Sequence, residues 1–528
     1  MNFFKKFYRY FISLFYYYPF YSFVRPFFFK FKKKTKESND KINYKIAFEL
    51  SYDAYYFLLF GTLFYKLREK TNLNVDAIVC NSISNSVGFN FKSFFQRSTF
   101  FVWLKSNQWL RAYGKDIPIK VKFRSLNLFN FYFDLKYFFI AYKYWKIFIL
   151  NKKKIQYKTI EIRDLVIETY LRFRASPKFI PNDFFVLKII WQAIKDIERL
   201  EKFFILNRPN LFIVANTSYI TNGIPLRVAL KHNIKTICPS KGIYKILSKK
   251  DNLQFQDCKH YKKIFSKLVN QNKLLNKSEK YLKLRLSGKK DDRMYKHKKS
   301  PYFYKNIKLN LKKSSVVIYL HDFFDAPHQY KNFIFDDYWD WLLFTIQILK
   351  QNKINFYIKQ HPNGIYLNDN AINNLKKIIP KYHWLPDKIS TKQLVEDKII
   401  SCGVTVHGTI SHELAYFGIQ SICCATHPHI SFDFCRTAKS KKKYASFLIN
   451  YRKSPLSSNK MKKQSLAFYY MHNIHGSKSF RICARIGFDL RVASYTNKNN
   501  LNREKKIKYL INKLYNNEYF EKLVYKLI

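Results

Sequence analysis

Residues 404–424 read Val404-Thr-Val-His-Gly-Thr-Ile-Ser-His-Glu-Leu-Ala-Tyr-Phe-Gly418-Ile-Gln420-Ser-Ile-Cys-Cys424. The order is a short β-branched run, a glycine turn, a hydroxyl-rich helix start, an apolar helix over 412–417 and a second apolar run. That is a strand–helix–strand unit of a parallel sheet. Upstream the same alternation repeats: strand 315–320 (Ser-Val-Val-Ile-Tyr-Leu), helix 338–349, strand 354–358 and helix 372–379. Nearer the N-terminus come an apolar helix over 55–67, a strand over 75–80, a strand at 211–215, a helix at 224–232 and a strand at 234–238. Residues 160–206 read as two helices parted at Pro177 to Pro181, and 503–527 as a closing helix.

Two alternating blocks in series predict an α/β protein with two Rossmann-like domains facing a cleft. The boundaries read as a basic aromatic extension over 1–40, a first Rossmann-like acceptor-side domain with helical linker over 41–300, a second, nucleotide-donor domain over 301–450 and a helical tail over 451–528. In open sheets of this kind, ligands bind beyond the carboxyl ends of the strands.

Composition narrows the function. The chain has 528 residues, 19% of them aromatic, which is ample for large cores, and a formal net charge of +61. It is rich in Lys, Asn, Ile, Phe and Tyr, the residues A/T-rich codons favour, so part of that charge reads as compositional drift. A basic surface attracts polyanions, but no basic and aromatic platform such as an RNP strand is present, and nucleic acid is not the expected partner. There is no GxGxxG, no GxxxxGK[ST] and no repeat of 20 to 50 residues, and only 12 glycines occur in all. An ordinary dinucleotide fold and a P-loop ATPase are thereby disfavoured.

Residues 1–36 carry nine Lys/Arg, no acid and many Phe and Tyr, and the uncharged stretch Tyr10–Val24 holds 15 residues interrupted by Pro19. That is shorter than the roughly 20 apolar residues a span needs. It offers no small-x-small cleavage site either. The expectation is a segment that rests peripherally on anionic lipid at the inner face of the cytoplasmic membrane.

Eight of the 13 histidines fall within residues 321–429, where an even spread would place about three. His321, Asp322, Asp325 and His328 follow the 315–320 strand, in a loop able to take a proton or orient a hydroxyl. Lys359, His361 and Asn363 follow the next strand, where a cation beside a rigid proline suits a phosphate. After the third strand, His407 precedes Thr409 and Ser411 at a helix start, which would hold phosphate, and Glu413 would bind ribose. The plainer reading of that turn is N-capping by Thr409 or Ser411, with Glu413 near the helix dipole. The eight cysteines form no CxxC and read as buried free thiols; His412-Glu413 continues as HExxY, and His427-Pro-His429 has no Cys pair at a convincing spacing. No metal site and no cofactor are expected.

The pair His361-Pro362 after a strand, followed by Thr405 to Gly418 in the form Thr-x-x-Gly-Thr-x-x-x-Glu-x-x-x-x-Gly, resembles the donor-site pattern of GT-B glycosyltransferases that make bacterial capsule and other surface polysaccharides. It is similar to the capsule Kdo transferases and, more distantly, to HP-motif sialyltransferases and CDP-glycerol glycerophosphotransferases. The resemblance implies a nucleotide-sugar as substrate, with His361 on the donor phosphate, Thr409 and Ser411 helping to hold it, Glu413 on the ribose, and the run from His427 through His429 flanking the same cleft. It implies a glycan or lipid-linked glycan as acceptor, and the segment Ile162 to Arg172 resembles an acceptor-side segment of surface-carbohydrate proteins. Asp164 and Arg172 are its candidates, and Asn216 and Thr217 follow the 211–215 strand. The acidic base motif of the HP-type enzymes is not present. Asp322 is the leading candidate base, ahead of Asp325 and Asp164, the last because Arg163 beside it would weaken it as a base. A glycerophosphotransferase on the same frame, or a non-catalytic assembly scaffold, is the alternative.

Overall fold

The computed structural model describes residues 41–50, 53–79, 119–124, 131–150, 155–240, 243–254, 258–287, 310–361, 366–386, 389–495 and 501–528. The basic segment 1–40, Cys80, the linker residues 288–300 and Asn363 lie outside them. The described residues form two compact units. The first comprises residues up to Thr169, Pro181–Gln254 and Ser477–Ile528; the second comprises Tyr170–Ile180 and Phe255–Gly476. Both are α/β and Rossmann-like, as the alternation predicts.

The first unit is built on strands β1 (Ile42–Glu49), β2 (Thr71–Val79), β3 (Ile119–Arg124), β6 (Leu211–Ile213), β7 (Lys235–Ser240) and β8 (Ile243–Leu247), with β4 (Gln156–Tyr157) and β5 (Ile160–Glu161) forming a separate hairpin. The sheet order is β3-β2-β1-β6-β7-β8, parallel except for the antiparallel edge strand β8. Strand order therefore reverses between β1 and β6, whose pairing runs from Ile46↔Leu211 to Phe48↔Ile213. The 42–49 segment, which the sequence reading did not assign as a strand, is thus a central strand. The helix Ala54–Arg68 that follows is buried along most of its length, and Asp53 caps it by accepting from the Tyr55 N–H at 2.9 Å.

The second unit holds β9 (Ser315–Tyr319), β10 (Phe356–Lys359), β11 (Ile400–Val404), β12 (Ser421–Cys423) and β13 (Cys435–Thr437) in the order β10-β9-β11-β12-β13, all parallel. All five residues of β9 are buried, because helices cover both faces of a parallel sheet and its inner strands become continuous apolar runs. Here order reverses at β9, between β10 and β11.

Three boundaries differ from expectation, the first being that Tyr170–Ile180, inside the expected first domain, belongs to the second unit. The helices Tyr261–Ser266 and Gln271–Leu286, read as linker, place Tyr261, Leu275 and Leu282 in one core with Met461, Phe468 and Ile474, so the main segment of the second unit begins near residue 255 and not 301. The tail also divides. Helix Ser458–Tyr469 stays with the second unit, whereas Lys478–Tyr495, Leu501–Tyr515 and Glu518–Leu527 bury Leu490, Ile511, Phe520 and Val524 against Ile46 and Phe48 of β1 and Leu63 of the first helix. Tyr44 of β1 donates to the Leu527 carbonyl at 2.5 Å. Among the described residues no helix is long and apolar enough to cross a membrane.

Candidate functional site

At the reversal point of the second sheet the chain leaves β9 through Leu320, His321 and Asp322, and leaves β11 through Thr405, Val406 and His407. His321 joins them. Its Nε2 lies 2.9 Å from Thr405 Oγ1 and accepts from the Val406 N–H at 3.3 Å. A ring nitrogen that accepts from a backbone N–H carries no proton, so the neutral ring bears its proton on Nδ1. Burial, then the neighbouring His407 and His361, hold the His321 imidazole well below its ordinary range, which keeps it neutral. The ring stacks on Tyr338 at 4.8 Å and 9°, and lies 4.5 Å from the His407 ring.

His407 is buried, with Nε2 2.9 Å from the Tyr338 hydroxyl. Burial, with the nearby His427 ring, pushes it down to about 3. Tyr338 is placed by the N-cap before it: Asp337 accepts from Asp340 N at 2.8 Å and from Phe179 N at 2.7 Å. Burial raises that carboxyl to about 7, ahead of the crowding of Asp340.

The turn between β11 and the helix Ile410–Tyr416 is compact because Gly408 permits it. A Cβ on Gly408 would fall 2.7 Å from Thr405 Oγ1, the atom that holds His321. At the other end Gly418 takes φ +77, and the Ile419 and Gly418 N–H groups close back on Leu414 and Ala415 carbonyls, a Schellman stop that an L side chain resists. Thr409 is exposed, and its hydroxyl makes no capping bond.

Two residues of this motif turn away from the edge. Ser411 is buried with Oγ 3.6 Å from Cys423 Sγ, and Glu413 is buried with Arg285 Nε at 3.4 Å. The expected roles on phosphate and ribose do not fit these positions. The physical reason is the helix Ser458–Tyr469, whose Ser465 hydroxyl donates to the His412 carbonyl and whose Phe468 packs on the His412 ring, covering a second face of a seven-residue helix.

On the neighbouring strand, Lys359 pairs in register with Tyr319, and its Nζ donates to the Ile389 carbonyl at 2.6 Å. His361 is exposed and within electrostatic reach of His321 and Asp325. Asp322 is half-buried and accepts from Phe324 N at 3.0 Å, while Asp325 is exposed, accepts from Ala326 N at 2.9 Å and is reached by the charge of Arg172. His328 lies half-buried against Phe333. The second unit thus gathers His321, Thr405 and His407 into one contact cluster, with Asp322 next in the chain and His361 within reach.

In the first unit Asp164 is held by Arg227, which donates from Nη1 to Oδ1 at 2.8 Å and from Nη2 to Oδ2 at 2.5 Å. Both carboxylate oxygens are committed, so its expected role as a base gives way to a structural one. The expected partner, Arg163, instead lies over the Phe148 ring at 4.7 Å. Asn216 accepts from the Thr217 and Ser218 N–H groups, and Thr217 accepts from Gln254 N at 3.1 Å, so both shape the loop that leaves β6. Sequence reading missed Glu49, the last residue of β1. It is buried at the reversal point of the first sheet, accepting from Ala215 N at 3.1 Å and from the Asn222 amide. Burial raises its carboxyl to about 7, against the lowering effect of those two bonds. Its position at a strand end ahead of a helix was the available signal.

Away from the His321 cluster the structure makes a grouping that the sequence spacing does not suggest. Cys423, His427, His429 and Cys435 are all buried, and a ligand atom from each lies within 4.8 Å of the others. Spacing along the chain concealed them because the two cysteines meet through pairing of β12 with β13.

No protein family matches the chain, and no curated protein does. Solved structures to which it is similar include a UDP-GlcNAc 2-epimerase from Methanocaldococcus jannaschii, at 12% identity over 80% of this chain and 98% of that one, with a TM-score of 0.26. Others are the beta Kdo 2,4 transferase KpsC from Thermosulfurimonas dismutans, at 12% identity over 49% and 80% with a TM-score of 0.26, and a glycosyltransferase from Rickettsia africae, at 12% over 86% and 100% with 0.28. At identities and TM-scores this low, the two-unit α/β assignment rests on the strand orders themselves.

Proposed function

We propose that the chain is a GT-B-type glycosyltransferase that moves a sugar from a nucleotide-sugar donor to a surface glycan, with the donor held at the carboxyl edge of the second sheet and no metal in the transfer step. The observation that carries this reading is the His321 cluster at the reversal point. There a neutral imidazole, fixed by Thr405 and Val406, has its remaining N–H to offer a phosphate oxygen.

In this reading His321 Nδ1–H, His361 and Lys359 stabilise the charge that develops on the nucleotide phosphate as its bond to the sugar breaks. The acceptor hydroxyl oxygen bonds to the anomeric carbon and its proton passes to a carboxylate, Asp322 first and Asp325 beside it. A lipid-linked acceptor would suit the basic aromatic segment 1–40.

A thermal-shift series on the full chain with CMP, CDP, UDP, GDP and their sugar conjugates tests this, repeated with His321→Ala and His361→Ala. A ligand that binds only the folded state raises the melting temperature by mass action. The expected result is stabilisation by one nucleotide, lost in both variants while their unliganded melting temperatures stay near the parent. If no nucleotide shifts the parent, the donor site is refuted.

A further inference from the structure

We propose that Cys423, His427, His429 and Cys435 form a structural zinc site that fastens the 424–434 loop to the ends of β12 and β13. Two sulfurs and two imidazole nitrogens, with no carboxylate, form the donor set that zinc prefers among divalent ions in closed sites. The four donor atoms lie within 4.8 Å of one another. Zn–S and Zn–N bonds of about 2.3 and 2.0–2.1 Å place tetrahedral ligand atoms about 3.3–3.8 Å apart, so closure needs side-chain movements on the order of an ångström.

The polar atoms around the cluster point the same way. His427 Nε2 lies 2.6 Å from Thr437 Oγ1, which leaves Nδ1 as its ligating atom, and Nδ1 has no hydrogen-bond partner. Neither nitrogen of His429 completes a hydrogen bond of normal geometry, although that ring is fully buried, stacked 3.8 Å from His427 and directed at the Cys435 sulfur. Buried imidazole nitrogens without partners are unfavourable, and a cation among them removes the penalty. Thr437 on His427 and Ser411 on Cys423 supply the outer contacts that orient ligands in such sites.

A disulfide does not account for the pair. Cys435 is in register with Ser421, and Cys423 with Thr437. The two cysteines are therefore offset by two residues on adjacent strands, with Cα atoms roughly 8 Å apart from strand spacing and rise. That exceeds the reach of an S–S bridge without backbone movement. Four protein ligands leave no open position for substrate, so the site holds structure. Through Ser411 it braces the back of the β11 turn.

The test is metal analysis of the full chain, expressed with zinc and purified without chelator, followed by titration of the chelated protein with Co(II). The expected results are about one zinc per chain and the intense visible bands of tetrahedral cobalt with sulfur-to-cobalt charge transfer, displaced by zinc. Cys435→Ser should lose the zinc, while Cys483→Ser, a buried cysteine of the other unit, should keep it. Should Cys435→Ser fail to fold, the cobalt spectrum of the parent decides alone. Zinc well below one per chain with no cobalt bands, equal zinc in parent and Cys435→Ser, or a Cys423–Cys435 disulfide in non-reducing peptide maps would each overturn the proposal.

Discussion

His321 Nε2 lies 2.9 Å from Thr405 Oγ1, so one imidazole ties the exit of β9 to the exit of β11. Thr405→Val keeps the buried volume and deletes the hydroxyl. A net hydrogen bond of about 1 kcal/mol is lost, and nucleotide binding should weaken about 3- to 10-fold. Isothermal titration with the nucleotide that stabilises the parent measures this. Unchanged affinity would separate the His321 cluster from donor binding.

Arg227 and Asp164 form a bidentate pair at 2.8 and 2.5 Å, with the arginine mostly buried. Arg227→Ala should destabilise the first unit by about 1–3 kcal/mol, and Arg227→Lys should restore little, because an ammonium cannot reproduce the two parallel bonds. Urea unfolding reads both variants. Asp164→Asn should lower transfer activity no further than its loss of folded protein. A drop in kcat in fully folded Asp164→Asn would restore that residue to the chemistry.

Stability should depend on pH through Glu49. Its folded carboxyl titrates at about 7 against an ordinary 4.5. Between those values the folded state keeps a proton that the unfolded chain releases. Its contribution is therefore complete below about pH 4.5 and lost as pH rises through 7, a change of roughly 3 kcal/mol. Glu49→Gln has no such titration, so the parent should lose more stability than the variant between pH 5 and pH 8. Parallel profiles in denaturant titrations would show that the carboxyl is not raised.

Gly403 on β11 lies so close to the helix Ile410–Tyr416 that an added Cβ would meet Leu414 Cδ1 at 2.2 Å. Gly403→Ala should cost about 1–3 kcal/mol by overpacking. Shortening the neighbour in Gly403→Ala/Leu414→Val should recover part of that loss, giving a positive coupling in a double-mutant cycle. Strictly additive effects would show that the strand and helix adjust independently.

What could be read from the sequence follows the physics of each segment. Ser315–Tyr319 was legible as a strand because both its faces are covered, which turns the sequence into an unbroken apolar run. The helix at 338–349 was legible from its buried Tyr338, Trp341, Leu342, Thr345, Ile346 and Leu349, which recur at helical spacing. Phe131–Leu150 escaped notice because apolar side chains surround it, leaving no stripe to follow. The position of the 404–418 motif was clear, but the directions of Ser411 and Glu413 were not, because helix Ser458–Tyr469 supplies the second covering face from elsewhere in the chain. The Cys–His cluster was hidden for a related reason: its neighbours are set by strand register, which local spacing does not encode.

The return of the chain to its first sheet bears on how the protein emerges from the ribosome. The second unit draws only on Tyr170–Ile180 and Phe255–Gly476, so every segment it needs has been synthesised once Gly476 is out. The first unit began earlier, and Phe48 of β1 packs on Phe60 and Phe64 of the helix that follows it, yet that core is not complete until Phe520, Val524 and the Leu527 carbonyl arrive. Birth order and completion order are thus inverted: the half made later can mature first, and the earlier half waits with part of its apolar core unfilled, an interval in which a chaperone would find its substrate.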